Sequence, residues 1–347
     1  VGVEAKATGA SRVLKGLGKT LGETQGNSFQ SFTFDLTNQP AGSIAQLGGT
    51  AFTDKLVLAT ASGGTLQLQS DANLTRVSSL VIGDSSSQGA VLEVGAYNGG
   101  TLLLGGTSLA QPVLQVIKGK GTIVGNVNIG PGASLQPGNS PGTMSFVGNF
   151  SLLTGSNSQF EYTANTQTSI DSGSHDSIAV TGSLTVSGAI TAVAYSANGK
   201  PRVRDLDRHT FDIINYTAGG SPNVQGSVPS YMSVGGTLVE SAMVQASVDS
   251  GSMNVVRMSI QRLRFADVGT GLGSKFGAIL DKKLALETGA IADFITLLDS
   301  QAALPQVHAL LEVANPGPYA ELPNIAFGRL KGVQNGISGH LNTLALG

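Results

Sequence analysis

The sequence predicts a mainly β fold, a right-handed parallel β-solenoid over residues 31–265, preceded by a segment or cap over 1–30 and followed by an α-helical region over 266–347. Three observations predict it. Short apolar runs recur from Phe32 onward between glycine-rich turns. The composition pairs 48 glycines in 347 residues with only 12% charged residues, against a usual ~7% glycine and ~25% charge. Beyond about Phe265 the spacing of apolar residues changes from two to three and four.

Taken in order, the first 26 residues place Val13, Leu14, Leu17 and Leu21 at roughly helical spacing, but Gly16, Gly18 and Gly22 weaken a helix there. Phe32, Phe34 and Leu36 then alternate with Thr33 and Asp35, the pattern of a half-buried strand. Similar runs follow at 56–58, 66–68, 80–82, 91–94, 102–104, 127–129 and 184–186. The tetrad Gly-Gly-Thr-Leu occurs at 63–66, 99–102 and 235–238, and the first two copies, 36 residues apart, predict two coils of about 18 residues. A sandwich or barrel also uses short strands, but 5% aromatic residues are few for a sandwich core. Stacked Leu, Val, Ile and Gly suit a narrow solenoid interior. Coils of about 18–22 residues give roughly 11–13 coils, each rising about 4.8 Å.

The open ends of such a rod carry unpaired backbone groups and need caps. Residues 1–30 are one candidate, and the charged stretch at 200–209 belongs to the elaboration of the other end. Only Lys118, Lys120, Glu161, Asp171, Asp176 and Lys200 carry charge between 101 and 200, whereas Arg202, Arg204, Asp205, Asp207 and Arg208 crowd the next eight positions. That cluster reads as one solvated loop. Three amphipathic helices follow, on Phe276, Ile279, Leu280 and Leu284, on Ile291, Phe294, Ile295 and Leu298, and on Leu304, Val307, Leu310 and Leu311. Asp299 and Ser300 are placed to cap the third, and Asn315-Pro316-Gly317-Pro318 to end it. In the tail, Leu322, Ile325, Leu330, Val333, Ile337, Leu341 and Leu344 form a heptad-like apolar stripe that needs a partner surface.

Composition also excludes. A net charge of −2 and a pI near 6.1 provide no field to recruit nucleic acid or an anionic membrane. Without cysteine there are no disulfides, thiolate metal sites or cysteine nucleophiles, which suits a chain exported unfolded. No apolar run reaches the ~18 residues of a transmembrane helix. The start at Val1, with no basic n-region and no hydrophobic h-region, reads as a processed or excised end.

Residues 121–144, Gly-Thr-Ile-Val-Gly-Asn-Val-Asn-Ile-Gly-Pro-Gly-Ala-Ser-Leu-Gln-Pro-Gly-Asn-Ser-Pro-Gly-Thr-Met, closely resemble the passenger repeat of autotransporters, the type V secreted proteins of Gram-negative bacteria. Met144 stands where the repeat usually has Leu, a near-neutral exchange. Residues 175–182, 211–215 and 255–265 look like the last coils before the translocator, and 302–346, especially Pro-Tyr-Ala-Glu-Leu-Pro-Asn-Ile-Ala at 318–326, resemble the helical linker ahead of the outer-membrane barrel. The resemblance covers about 80–346 and implies a secreted passenger at the cell surface. The barrel with its aromatic girdles does not follow.

Motifs that carry chemistry are weak by comparison. Gly138-Asn139-Ser140-Pro141-Gly142 matches the hydrolase elbow, but Pro141 lacks the N–H that the oxyanion hole requires, so a tight turn is expected. His175 beside Asp171 and Asp176 reads as a polar loop, and no histidine spacing fits zinc. Calcium-binding repeats are absent from the sequence, and residues 271–277, a weak phosphate-loop lookalike, read as a hinge between solenoid and helices. The expectation is therefore a non-catalytic, extracellular or cell-surface structural or adhesive protein, without cofactor or metal. It would associate as a homo-oligomer or filament through the tail stripe, with a host or cell-surface glycan or protein as a further partner. The alternatives are the stalk and folding-promoting part of a larger passenger and, third, a polysaccharide-active solenoid enzyme needing clustered carboxylates with Arg or Lys.

Overall fold

Alternate burial along short strands organises the chain. Ile44–Leu47, Thr65–Leu68, Thr101–Leu104 and Asn126–Ile129 each turn every second side chain into the interior. A computed structural model describes residues 3–6, 11–14, 29–36, 42–48, 53–59, 63–83, 89–138, 141–164, 170–196, 203–204, 206–220, 222, 224–234, 237–252, 254–286 and 288–314.

The fold is mainly β, with parallel sheets and a few C-terminal helices, and no sheet of the described residues closes into a barrel. One sheet runs through Val3–Lys6, Phe29–Asp35, Thr53–Ala59, Ser79–Ile82, Gln115–Gly119, Ala133–Pro137, Asn157–Ala164, Ala189–Tyr195 and Ser230–Val234, all parallel. A second runs in parallel from Ser11–Leu14 to His209–Tyr216 and then turns antiparallel through Val255–Arg262, Val244–Ser252 and Gln225–Val228. The third joins Thr101–Leu104, Asn126–Ile129, Phe150–Leu152 and Leu184–Val186. The strand runs expected at 56–58, 66–68, 80–82, 102–104, 127–129 and 184–186 lie in these strands, and that at 91–94 does so as far as Glu93. Ser11–Leu14 is a strand paired with Ile44–Leu47, not the start of a helix, because pairing satisfies a backbone that nearby glycines make a poor helix.

Register stacks like on like. Leu66, Leu92, Ile123, Phe146 and Val180 follow one another at paired positions, and all are buried. So do Leu102, Val127, Phe150 and Leu184, with the Phe146 and Phe150 rings 4.3 Å apart between the two columns. Met144, the departure from the autotransporter repeat, is fully buried among them. The Gly-Gly-Thr-Leu spacing does not set this register. Its three copies precede strands in three different sheets, and observed partners lie 23 residues apart at 123 and 146 but 18 apart at 117 and 135. The tetrad marks a local turn, with Gly63, Gly99 and Gly100 at positive φ.

Glycine is indispensable where turns stack. Gly125 and Gly148 have φ of +124° and +147°, and a Cβ on Gly148 would sit 2.3 Å from the Gly125 carbonyl oxygen. The following asparagines bind the stack together, since Asn126 Oδ1 accepts from Asn149 N and Asn149 Oδ1 from Ser183 N.

Four helices follow, α1 (Phe265–Val268), α2 (Gly271–Asp281), α3 (Ala290–Asp299) and α4 (Leu304–Ala314). Their apolar faces share a second core with Met243. Residues 271–277 are helix, not a hinge: Gly277 packs so tightly on Phe265 that a Cβ would lie 2.5 Å from its carbonyl carbon. Orphan N–H groups at helix starts are met by carboxylates from neighbouring helices. Asp281 accepts from Phe265 N and Ala266 N, and Glu312 from Thr270 N.

Asp299 caps nothing. It ends α3 with its carboxylate buried against Arg262, whose Nη1 and Nη2 both donate to it, whose Nη1 also donates to the Val203 carbonyl, and whose guanidinium lies 4.8 Å from the Phe265 ring centroid. The 200–209 stretch is likewise not wholly solvated, because Val203 is buried and Arg204 Nη1 donates to the Ala285 carbonyl at 2.8 Å. Arg202 and Asp205 lie outside the described residues. A strand, a connecting loop and a helix thus meet on one guanidinium.

Asp299→Ala leaves Arg262 charged, buried and unpaired. It is expected to cost about 3–5 kcal/mol in urea unfolding, with helical circular dichroism lost before the β signal. The double change Arg262→Met with Asp299→Leu should recover most of that loss. Equal stability of Asp299→Ala and the parent would refute the clamp.

Candidate functional site

Strand alternation brings scattered charges together on the outer face of the first sheet. Lys118 and Gln136 are register partners on adjacent parallel strands. Gln136 Nε2 donates to Gln159 Oε1 at 3.1 Å on the next strand, and Glu161, two residues along, shares that face. These side chains, with Pro137, Gly138 and Asp176, line a cleft of about 180 Å³.

Asp176 forms its base. The residue is 1% exposed; Oδ1 accepts from Gly142 N and Oδ2 from Glu161 N, each at 2.8 Å. Its own N–H donates to the Glu161 carbonyl at 2.7 Å. One residue therefore ties Gly142, just ahead of the strand Thr143–Val147, to the strand carrying Glu161. Gly138 has φ +82°, and a Cβ on it would lie 2.5 Å from Asp176 Oδ1. The Lys120 stem packs over Gly142, where a Cβ would lie 2.3 Å from Lys120 Cε. Of the segment that resembles a hydrolase elbow, Asn139 and Ser140 lie outside the described residues, and Gly142 is pinned by the buried Asp176 carboxyl.

Burial pushes the Asp176 carboxyl up to about 8. The two backbone N–H donors oppose that shift, the Glu161 charge reinforces it and Lys120 opposes it. Glu161 is also raised, by burial against the pull of Lys118. The cleft thus combines lysine side chains, amides and two carboxyls on which burial strengthens the hold of the proton.

The His175, Asp171 and Asp176 grouping does not form a polar loop. Residues Ile170–His175 are a strand, His175 stacks 5.1 Å from Phe211, and Asp176 lines the cleft. Among the described residues no group of three or more His, Asp or Glu is arranged to hold a metal. The tail positions Leu322, Ile325, Leu330, Val333, Ile337, Leu341 and Leu344 lie outside the described residues. Sequence reading missed the cleft, although one signal was present. Of the six charges between 101 and 200, four converge here: Lys118, Lys120, Glu161 and Asp176. No family model and no curated protein matches the chain.

A carboxyl whose pKa is higher folded than unfolded holds its proton in the native state after the unfolded chain has lost it. Its contribution to stability is complete below about pH 4 and is lost as pH rises to about 8 for Asp176. Glu161 and Asp281, also raised by burial, act in the same direction. The urea midpoint should therefore fall between pH 4.5 and 8.5, and Asp176→Asn should reduce that fall. At pH 4.5 the variant should also lose about 1–3 kcal/mol, because its amide nitrogen cannot accept from a backbone N–H. Parallel pH profiles for parent and variant would contradict the assignment.

Proposed function

We propose that the β region is a right-handed parallel β-solenoid and that the protein is a secreted, cell-surface structural or adhesive element that self-associates. The observation that carries this reading is the continuous parallel register, in which successive passages of the chain add one strand to each of two sheets and then to a third. Such a body works through extended shape and surface. The likeness of residues 121–144 to the autotransporter passenger repeat supports the same reading, since those residues supply the Gly125-Asn126 turn and the buried Val127, Ile129 and Met144 on which the next passage stacks.

In this proposal the tail stripe from Leu322 to Leu344 joins one copy of the chain to the next. A second reading, the stalk and folding-promoting end of a larger passenger, draws on the helices α1 to α4, which form a separate core with Met243 after the last strand. Light scattering and negative-stain microscopy of the purified chain separate the two. Self-association predicts concentration-dependent assemblies that vanish on deletion of residues 318–347. A dispersed monomer at high concentration, or assemblies unchanged by the deletion, would overturn it.

A further inference from the structure

We propose that the cleft around Lys118 is a binding site for a carboxylated saccharide unit, with the ammonium on its carboxylate and the Gln136 and Gln159 amides and Glu161 on its hydroxyls. The inference is independent of self-association.

At about 180 Å³ the cleft is smaller than the ~300 Å³ or more of a drug-sized pocket, which limits an occupant to a small unit, and the lining fixes its chemistry. Lys118 and Glu161 both line the cleft and are close enough for the ammonium to influence the carboxyl, yet they form no ion pair among the described residues. The amide pair presents a fixed donor and acceptor edge, anchored by the bond between Gln136 and Gln159. No apolar pocket for a peptide side chain opens from this lining. Nor is there a strand edge for a peptide to extend, because Ala133–Pro137 is paired on both sides.

The titratable groups facing the two carboxyls are Lys118, Lys120 and each other. Where both carboxyls hold protons, the cleft is net positive and Glu161 can donate a hydrogen bond, whereas Asp176, buried with both oxygens met by backbone N–H groups, acts through its charge alone. Where both are ionised, they oppose a bound carboxylate.

Titration calorimetry on the full chain with trigalacturonate, maltotriose and triglutamate tests the proposal. Saturable binding of trigalacturonate alone is expected, weakened about tenfold or more in Lys118→Met and about fivefold between pH 6 and pH 9. Unchanged melting and circular dichroism of Lys118→Met would certify its fold. If that variant melts early, Gln159→Ala supplies the same test. Trigalacturonate affinity weaker than about 1 mM, equal binding of maltotriose or triglutamate, or full binding by a folded Lys118→Met would each overturn the site.

Discussion

Parallel in-register pairing is the constraint on which the rest of this molecule depends. Once Ile123 lies beside Leu92 and Phe146, the residues at that place from Ala45 to Tyr216 are buried beside their counterparts. A charge there would be desolvated without a counter-ion, at a cost of several kcal/mol. The low charge and abundant glycine follow directly, since the buried columns are almost wholly apolar, with uncharged Ser158 and Gln115 as exceptions, and stacked turns such as Gly125 and Gly148 leave no room for a Cβ. Each buried Leu, Ile or Phe contributes about 1.5–3 kcal/mol, whereas a half-exposed hydrogen bond nets about 0.5–1.5 kcal/mol. The apolar columns therefore set the register, and the polar ladders follow it.

Outward positions obey the same stacking with different chemistry. Gln46 donates to Gln67, and Gln67 to Glu93, on consecutive strands of the second sheet. On the first sheet Lys118, Gln136, Gln159 and Glu161 occupy neighbouring places, and the buried Asp176 closes the base beneath them. The cleft is thus a local departure of the outer ladder from amides to ionisable groups. At the C-terminal end the Arg262 clamp replaces stacking, holding α3, the Val203 loop and a strand through one buried guanidinium.

What could be read in the sequence was what a local pattern encodes. Alternation exposed the strands from Phe32 onward, and spacing of three and four exposed the last three helices, because one buried face is enough to write either period. Partners remote in sequence left no such trace. Arg262 and Asp299 are 37 residues apart, and Asp176 and Gly142 are 34 apart. Nothing local to Asp299 distinguishes a buried ion pair from a cap. The Gly-Gly-Thr-Leu interval misled because a turn sequence recurs wherever a strand begins, whichever sheet receives it.

The register itself is the claim most directly open to measurement, and a chain without cysteine makes the experiment clean. Thr122 and Ser145 are paired on adjacent strands, while Val147 is the partner of Val124, two places further along. Thr122→Cys with Ser145→Cys should oxidise readily to an intramolecular disulfide, detected by intact mass and non-reducing electrophoresis. Thr122→Cys with Val147→Cys should not, because diagonal Cα atoms lie beyond the ~7 Å that a disulfide spans. Preferential crosslinking of the 122 and 147 pair, or of neither, would contradict the stacked register from which the core, the glycine turns and the cleft are all derived.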